Sequence, residues 1–223
     1  MPATITSQRG TTEAVENYLK TIYAHTEWQP VPITPSALAS RLGLAPSSVT
    51  EMVVKLADAG LVDHVKYGSI SLSEAGRIRA LHVVRRHRLI ETYLVEVLGY
   101  GWDEVHDEAE VLEHAVSDRF LEAIEHQLDY PDRDPHGDPI PSASGWVPAI
   151  SAIALAQARL GSTGAIIRIS DRDPAVLRLL ASVGIGLGTR ISVDAEGPVV
   201  RADGEPIDLS AAAEAIWISA PVG

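Results

Sequence analysis

Residues 35–72 place the tightest constraint on what this chain can become. Pro35–Leu42 (PSALASRL) reads as a short helix and Gly43–Pro46 as a turn. Ser47–Ala59 reads as a second helix, with Val49, Met52, Val53 and Leu56 on one face and Gly60 at its end. Leu61–Val65 and Ser69–Leu72 then read as two strands flanking Lys66, Tyr67 and Gly68. Helix, glycine turn, helix and small hairpin, in that order, predict a winged helix-turn-helix. A further helix precedes it over 12–27, where Val15, Tyr18, Leu19, Ile22 and Tyr23 have helical spacing and Thr11 or Thr12 is the expected N-cap.

In such a unit the second helix enters the major groove of DNA with its N-terminal side chains foremost. Here those side chains are Pro46, Ser47, Ser48, Thr50 and Glu51, with Lys55 further along and Arg41 nearby. Small hydroxyls can donate to phosphates or base edges, and Lys66 and Tyr67 at the wing tip can grip the backbone. Glu51 is unfavourable beside phosphate but can accept from a cytosine amino group. The alternative is a helical hairpin that packs without touching DNA.

A formal net charge of −12, taken alone, argues against a nucleic-acid partner. Its distribution reverses the inference. Pro35–Ile90 holds eight Lys or Arg against four Asp or Glu, whereas Glu91–Asp138 holds fifteen acids against two Arg. The first segment suits phosphates and the second suits cations. There are no cysteines, which excludes disulfides, iron–sulfur clusters and thiolate zinc sites and fits a cytoplasmic protein. No apolar run is long enough to span a membrane, and MPATITSQRG lacks the apolar core of a secretion signal. No Ser–His–Asp set at meaningful spacing and no phosphate-binding glycine loop is present, so an enzyme is not expected.

Beyond the hairpin, a long helix is expected from Ser73 or Glu74 to about Leu98, then helices over Asp103–Ala115 and Asp118–Leu128. Tyr130–Gly145, rich in proline, is a loop or linker. Short strand-like runs follow at Ala165–Ile169, Thr189–Val193, Val199–Ala202 and Ala215–Ser219, with a helix over Pro174–Val183. They predict a small SH3-like β-barrel. The fold expected is therefore mainly α with a small β component. Its parts are a winged helix-turn-helix domain (1–74), a helical domain (75–145), and an SH3-like domain (146–223).

Two stretches carry metal-binding chemistry. His87 and Glu91 lie four residues apart, and His106, Glu110, Glu113 and His114 recur at spacings of three or four. Residues so spaced share a helix face, and two such helices packed together would converge six nitrogen and oxygen donors. Leu89, Ile90, Val111 and Leu112 imply partial burial, where carboxylates are costly unless paired or metal-bound. The alternative is a solvated face of acids and histidines. A carboxylate-rich, cysteine-free set with imidazole suits Mn(II), then Fe(II); Co(II) and Zn(II) would bind at least as tightly, so selectivity would rest on geometry. His25, His64, His82, His126 and His136 lack a matched carboxylate at helical spacing and read as surface or structural residues.

These residues together resemble the diphtheria-toxin-repressor family of iron- and manganese-dependent regulators. The chain looks most like its manganese branch with a C-terminal SH3-like (FeoA-like) domain. The resemblance rests on YLKTIY (18–23), PSSVTEMVVKLADAGLV (46–62), RRHRLIETYL (85–94), GWDEVHDEAEVLEHAVSD (101–118) and DPHGDPIP (134–141). It implies a homodimeric repressor that binds a palindromic double-stranded operator, of metal-uptake genes, when metal aligns its winged helices. It implies one ion held by His87, Glu91 and His106, and a second held by Glu110, Glu113 and His114 with Asn17. The iron branch has Cys where this chain has Glu110, and the manganese branch a carboxylate. The manganese branch has Asp where this chain has Asn17, an amide that brings no charge. In some relatives the SH3-like domain lends ligands to the first ion, a role open here to Asp171 or Asp173. Leu94, Val97, Leu112 and Phe120 are the expected candidates for burial at a dimer interface. The rival readings are an iron-dependent regulator of the same fold, a di-iron carboxylate enzyme, a metal-independent DNA binder and a metal-storage protein. The absence of any Glu followed three residues later by His argues against the enzyme.

Overall fold

The structure is a computed structural model that describes residues 3–28, 31–64, 68–194, 197–202 and 205–219. It divides into two compact units, residues 1–86 with 141–146, and residues 87–140 with 147–223.

The first unit contains α1 (Ala3–Thr26), α2 (Pro35–Leu42), α3 (Pro46–Asp58), β1 (Val62–His64), β2 (Ile70–Leu72) and the N-terminal part of α4 (Glu74–Glu96). Thr34 caps α2 by accepting from the Ala37 N–H, and Gly43 ends it in the left-handed region at φ 64°. α1 starts at Ala3, well before the expected Thr11 or Thr12 cap. Leu19 and Ile22 of α1, Leu38 of α2, Val49, Val53 and Leu56 of α3, and Ile70 of β2 form one buried cluster. Each such side chain contributes roughly 1.5–3 kcal/mol of burial. The hairpin is antiparallel with Val62 opposite Leu72. Lys66 and Tyr67, expected at the wing tip, lie outside the described residues.

The second unit contains the rest of α4, α5 (Val105–Leu112), α6 (Asp118–Gln127), strands β3 (Ala152–Ala154), β4 (Thr163–Ile169), β5 (Arg190–Asp194), β6 (Gly197–Ala202), β7 (Glu205–Asp208) and β8 (Ile216–Ser219), and α7 (Pro174–Ser182). Ser117 caps α6 by accepting from the Phe120 N–H. The strands form one antiparallel sheet in the order β3-β8-β4-β5-β6-β7. Among the described residues β3 and β7 do not pair, so the expected barrel is an open, curled sheet. Ile166, Ile169, Leu177, Leu180, Ile216 and Ile218 fill its core against α7. The sequence reading missed β3 and β7. β3 is three residues long, and β7 carries Pro206, which is tolerated because β7 is an edge strand.

Candidate metal centre

Helix periodicity supplies the first pairs of donors. His87 and Glu91 sit one turn apart on α4, both buried, with His87 Nε2 3.0 Å from Glu91 Oε1. His106 and Glu110 sit one turn apart on α5, 3.6 Å between Nε2 and Oε1. Ile90 and Leu94 of α4, Val105 and Ala109 of α5, and Leu121 of α6 form a shared apolar cluster. Burying those neighbours draws the intervening acids and histidines inward. His106 Nδ1 thereby reaches within 3.5 Å of Glu91 Oε1 and 3.0 Å of Asp171 Oδ2, in the turn between β4 and α7. Asp173 is exposed and caps α7 instead, accepting from the Ala175 N–H at 2.9 Å. Of the two acids left open by the sequence, Asp171 is the one that joins the cluster.

α5 stops at Leu112, short of the expected Ala115. Glu113 nonetheless keeps helical torsions (φ −57°, ψ −29°) and is completely buried. His87 Nδ1 lies 2.7 Å from Glu113 Oε2, and His114 Nε2 lies 3.3 Å from Glu113 Oε1. Two donor groups result, His87–Glu91–His106–Asp171 and His87–Glu110–Glu113, each with one atom per residue within 4.8 Å of the others. His87 lies in both, one ring nitrogen facing each, whereas the sequence placed it with Glu91 and His106 alone. Asn17 lies on α1 in the first unit, half-buried.

A third group, Glu91–Asp134–His136, was not anticipated. His136, read from the sequence as a surface or structural residue, is completely buried, so it is not on the surface. Asp134 Oδ1 accepts from the N–H groups of His136 and Asp138, both at 2.9 Å, and this ties the loop into a tight turn. His136 Nε2 donates to the Trp102 carbonyl at 2.7 Å, so Nε2 carries the proton and Nδ1 faces Glu91 Oε2 at 3.9 Å. His136 Nδ1 and Glu91 Oε1 are buried atoms without a hydrogen bond among the described residues. Orphaned acceptors are expensive in a protein interior, and a cation between them removes the cost. The donor set therefore fits a divalent metal. The available signal was the sequence DPHGDP, two acids flanking a histidine in a glycine-proline loop. Nothing in its spacing pointed to Glu91.

The electrostatics agree. Burial alone would lower the pKa of His106, but the Asp171 carboxylate bonded to it and the Glu91 carboxylate beside it raise it to about 11. Burial likewise opposes the charge of His136, and Glu91, Asp134 and Asp171 outweigh it to raise its pKa. Burial pushes Glu91 up, yet the His87 charge and the adjacent His106 imidazole hold it at about 2. Asp171 is held below the ordinary carboxylate range, against burial, by its bond to His106. Burial, then Asp138 and Glu91, push Asp134 up to about 8. The acids pull protons onto the imidazoles, the behaviour of a site short of positive charge.

On the first unit, Arg41, Pro46, Ser47, Ser48, Thr50, Glu51 and Lys55 are all exposed, while Val49, Val53 and Leu56 face the core. Ala45, the N-cap of α3, offers no side-chain bond to the first-turn N–H groups. Thr50 Oγ1 donates to the Pro46 carbonyl at 2.9 Å.

Three family descriptions match the chain in succession. Residues 10–70 match the family described as iron dependent repressor, N-terminal DNA binding domain. Residues 73–142 match iron dependent repressor, metal binding and dimerisation domain, and residues 153–220 match the FeoA domain. The chain is similar to the diphtheria toxin repressor of Corynebacterium efficiens, 30% identical over 84% of this chain and 86% of the relative. It is 36% identical to the iron-dependent repressor IdeR of Mycobacterium tuberculosis over 58% of this chain and 56% of the relative. Among solved structures it resembles a manganese-dependent transcriptional repressor in complex with manganese, with TM-score 0.88, 49% identity, and coverage of 93% of this chain and 100% of the other. ScaR with bound Zn2+ is also similar, with TM-score 0.78, 33% identity, and coverage of 92% and 98%.

Proposed function

Because the chain belongs to the diphtheria-toxin-repressor family of iron-dependent repressors, we propose that it is a transcriptional repressor whose hold on its operator depends on Mn(II). The observation that carries this reading is the convergence of buried oxygen and imidazole donors, two of them orphaned, in a chain that also exposes one face of a helix-turn-helix. Glu91, His106 and Asp171, with Asp134 and His136 alongside, hold one ion. Glu110, Glu113 and His114 hold a second, and His87 serves either. The role that the resemblance gives Asn17 is part of the proposal; Asn17→Asp should raise Mn(II) affinity. The hard, thiolate-free donors favour Mn(II) and Fe(II), while Co(II) and Zn(II) compete by intrinsic affinity. A bound ion would supply the positive charge that the acids otherwise draw from protons.

In this reading Ser47, Ser48, Thr50 and Glu51 meet DNA from the start of α3, and Arg41 and Lys55 neutralise phosphates. Lys66 and Tyr67 grip the backbone from the wing. The working form is a homodimer, whose two reading helices match two half-sites of a near-palindromic operator. Val97 and Phe120 are exposed in the single chain and are proposed to be covered by the second copy. The division into DNA-binding (1–74), metal and dimerisation (75–145) and SH3-like (146–223) domains belongs to the same proposal. No helix among the described residues is long and apolar enough to cross a membrane.

The test is a DNA-binding titration of chelator-stripped protein with Mn(II), Fe(II), Co(II) and Zn(II) at fixed ionic strength, since phosphate contacts are salt-sensitive. At equal site occupancy Mn(II) is expected to tighten operator binding more than Zn(II) does, because selectivity rests on coordination geometry and not on intrinsic affinity. Equal operator affinity with and without metal would sink the reading.

A further inference from the structure

Asp171 reaches the metal centre from the end of β4, and the contacts that hold β4 in place point to a residue the metal chemistry itself does not use. Arg168, three residues before Asp171, is 5% exposed, a rare state for an arginine. Its Nε donates to Asp138 Oδ1 at 2.8 Å, and its guanidinium carbon lies 4.2 Å from the centroid of the Trp217 ring on β8. Asp138 Oδ1 also lies 3.5 Å from Arg88 Nη2, and Arg88 Nη1 donates to the Pro139 carbonyl at 2.6 Å. Arg88 is the neighbour of His87 on α4. A continuous set of contacts thus runs from α4, through the 134–139 loop, to β4 and β8.

A break in the sheet makes this possible. Ile166 pairs with Ile218, but Arg168 pairs with Trp217, so β4 gains one residue against β8 at that point. The bulge puts Arg168 with Trp217, on the side away from Ile216 and Ile218, while Ile169 returns to the core. The loop itself lies backbone-to-backbone on β4. The Ile169 N–H donates to the His136 carbonyl at 2.9 Å. Gly137 has φ 90°, and a Cβ there would overlap the Ile167 carbonyl. His136 thus lies in the seam itself and Asp171 two residues beyond it.

We propose that Arg168 is a positioning residue for the metal centre: by binding Asp138 and stacking on Trp217 it holds the β4 end and the 134–138 loop together, so that Asp171 and His136 reach Glu91 from two separate elements. This rests on the metal-binding reading above and adds to it a residue that touches no ion.

The test is a stepwise titration of the full chain with Mn(II), counting bound ions by the loss of the free-ion electron paramagnetic resonance signal. Asp171→Ala marks which step belongs to the ion near Glu91. Arg168→Met keeps the bulk and removes the charge; it is expected to weaken that same step by roughly 10- to 100-fold, the range for partners that orient a ligand. The step sensitive to Glu113→Gln should be unchanged, and Arg168→Lys should restore part of the loss. Asp138→Asn breaks the same link from the other side and keeps the question open to test should Arg168→Met fail to fold. Weakening of both steps alike, or of neither, would overturn the proposal. If the unaltered protein takes up no Mn(II), the metal-binding reading falls with it.

Discussion

Glu91 is the residue on which the centre turns. It lies within reach of His87, His106 and His136, on three different elements. His106 supplies the positive charge that balances these acids. Its pKa, raised to about 11 mainly by Asp171 and Glu91 against the effect of burial, means that it is protonated at neutral pH. For the metal-free fold the sign is that of a raised basic group. The contribution is complete below the unfolded value of 6.5 and disappears as pH climbs through about 11. For ion binding the consequence is opposite, because a metal must displace the proton. Mn(II) affinity should therefore rise by about tenfold per pH unit for each proton displaced. Calorimetry in buffers of differing ionisation enthalpy counts that release, and a count of zero would show that His106 keeps its proton in the loaded protein. Glu113 supports a second prediction. It is buried against His87 Nδ1 at 2.7 Å, so Glu113→Gln keeps the volume and an acceptor but loses the charge. One bound Mn(II) per chain should be lost, with metal stimulation of DNA binding, as read by ion counting and gel shift.

At the level of elements, α3 buries one face and exposes the other, the face on which the proposal places DNA recognition. Leu56 is 1% exposed in the core of the first unit, and truncation to alanine should cost about 2–5 kcal/mol of stability in a urea melt, the range for a buried leucine. Ser47 and Lys55 face solvent, and their joint replacement by alanine should weaken DNA binding while leaving Mn(II) stoichiometry and the melt unchanged. Loss of the Lys55 phosphate contact should also reduce the salt slope of binding by about one. A fall in metal binding in this double variant would mean that α3 does more than meet DNA. The sheet shows the converse situation. Period-2 alternation located β4 and β5, but the bulge that turns Arg168 to the outer face has no local signature, because it answers to the register of β8, almost 50 residues later.

For the whole molecule the two activities are tied by linkage. Whatever factor Mn(II) adds to operator affinity, operator must add to Mn(II) affinity, and factors of roughly 5–150 are usual for such coupling. Measuring Mn(II) binding with and without operator DNA should return the same factor as measuring DNA binding with and without Mn(II). Unequal factors would show that another equilibrium, such as dimerisation, carries part of the effect. Among the described residues α4 has residues in both compact units, and His87 is its first residue in the second.

The helix-turn-helix, the long α4, the pairs His87–Glu91 and His106–Glu110, and the cysteine-free donor chemistry could all be read along the chain. Each depends on spacings of three or four residues or on turn residues such as Gly43, and those are local properties. The convergence was not readable. That Asp171 rather than Asp173 joins the centre, that His87 turns a nitrogen to each donor group, and that Asp134 and His136 lie against Glu91 were all settled by the packing of elements remote in sequence. Spacing along one dimension states which side chains share a face of one helix. It carries no information on the angle or separation between elements, which long-range burial of apolar residues sets only once the chain has folded.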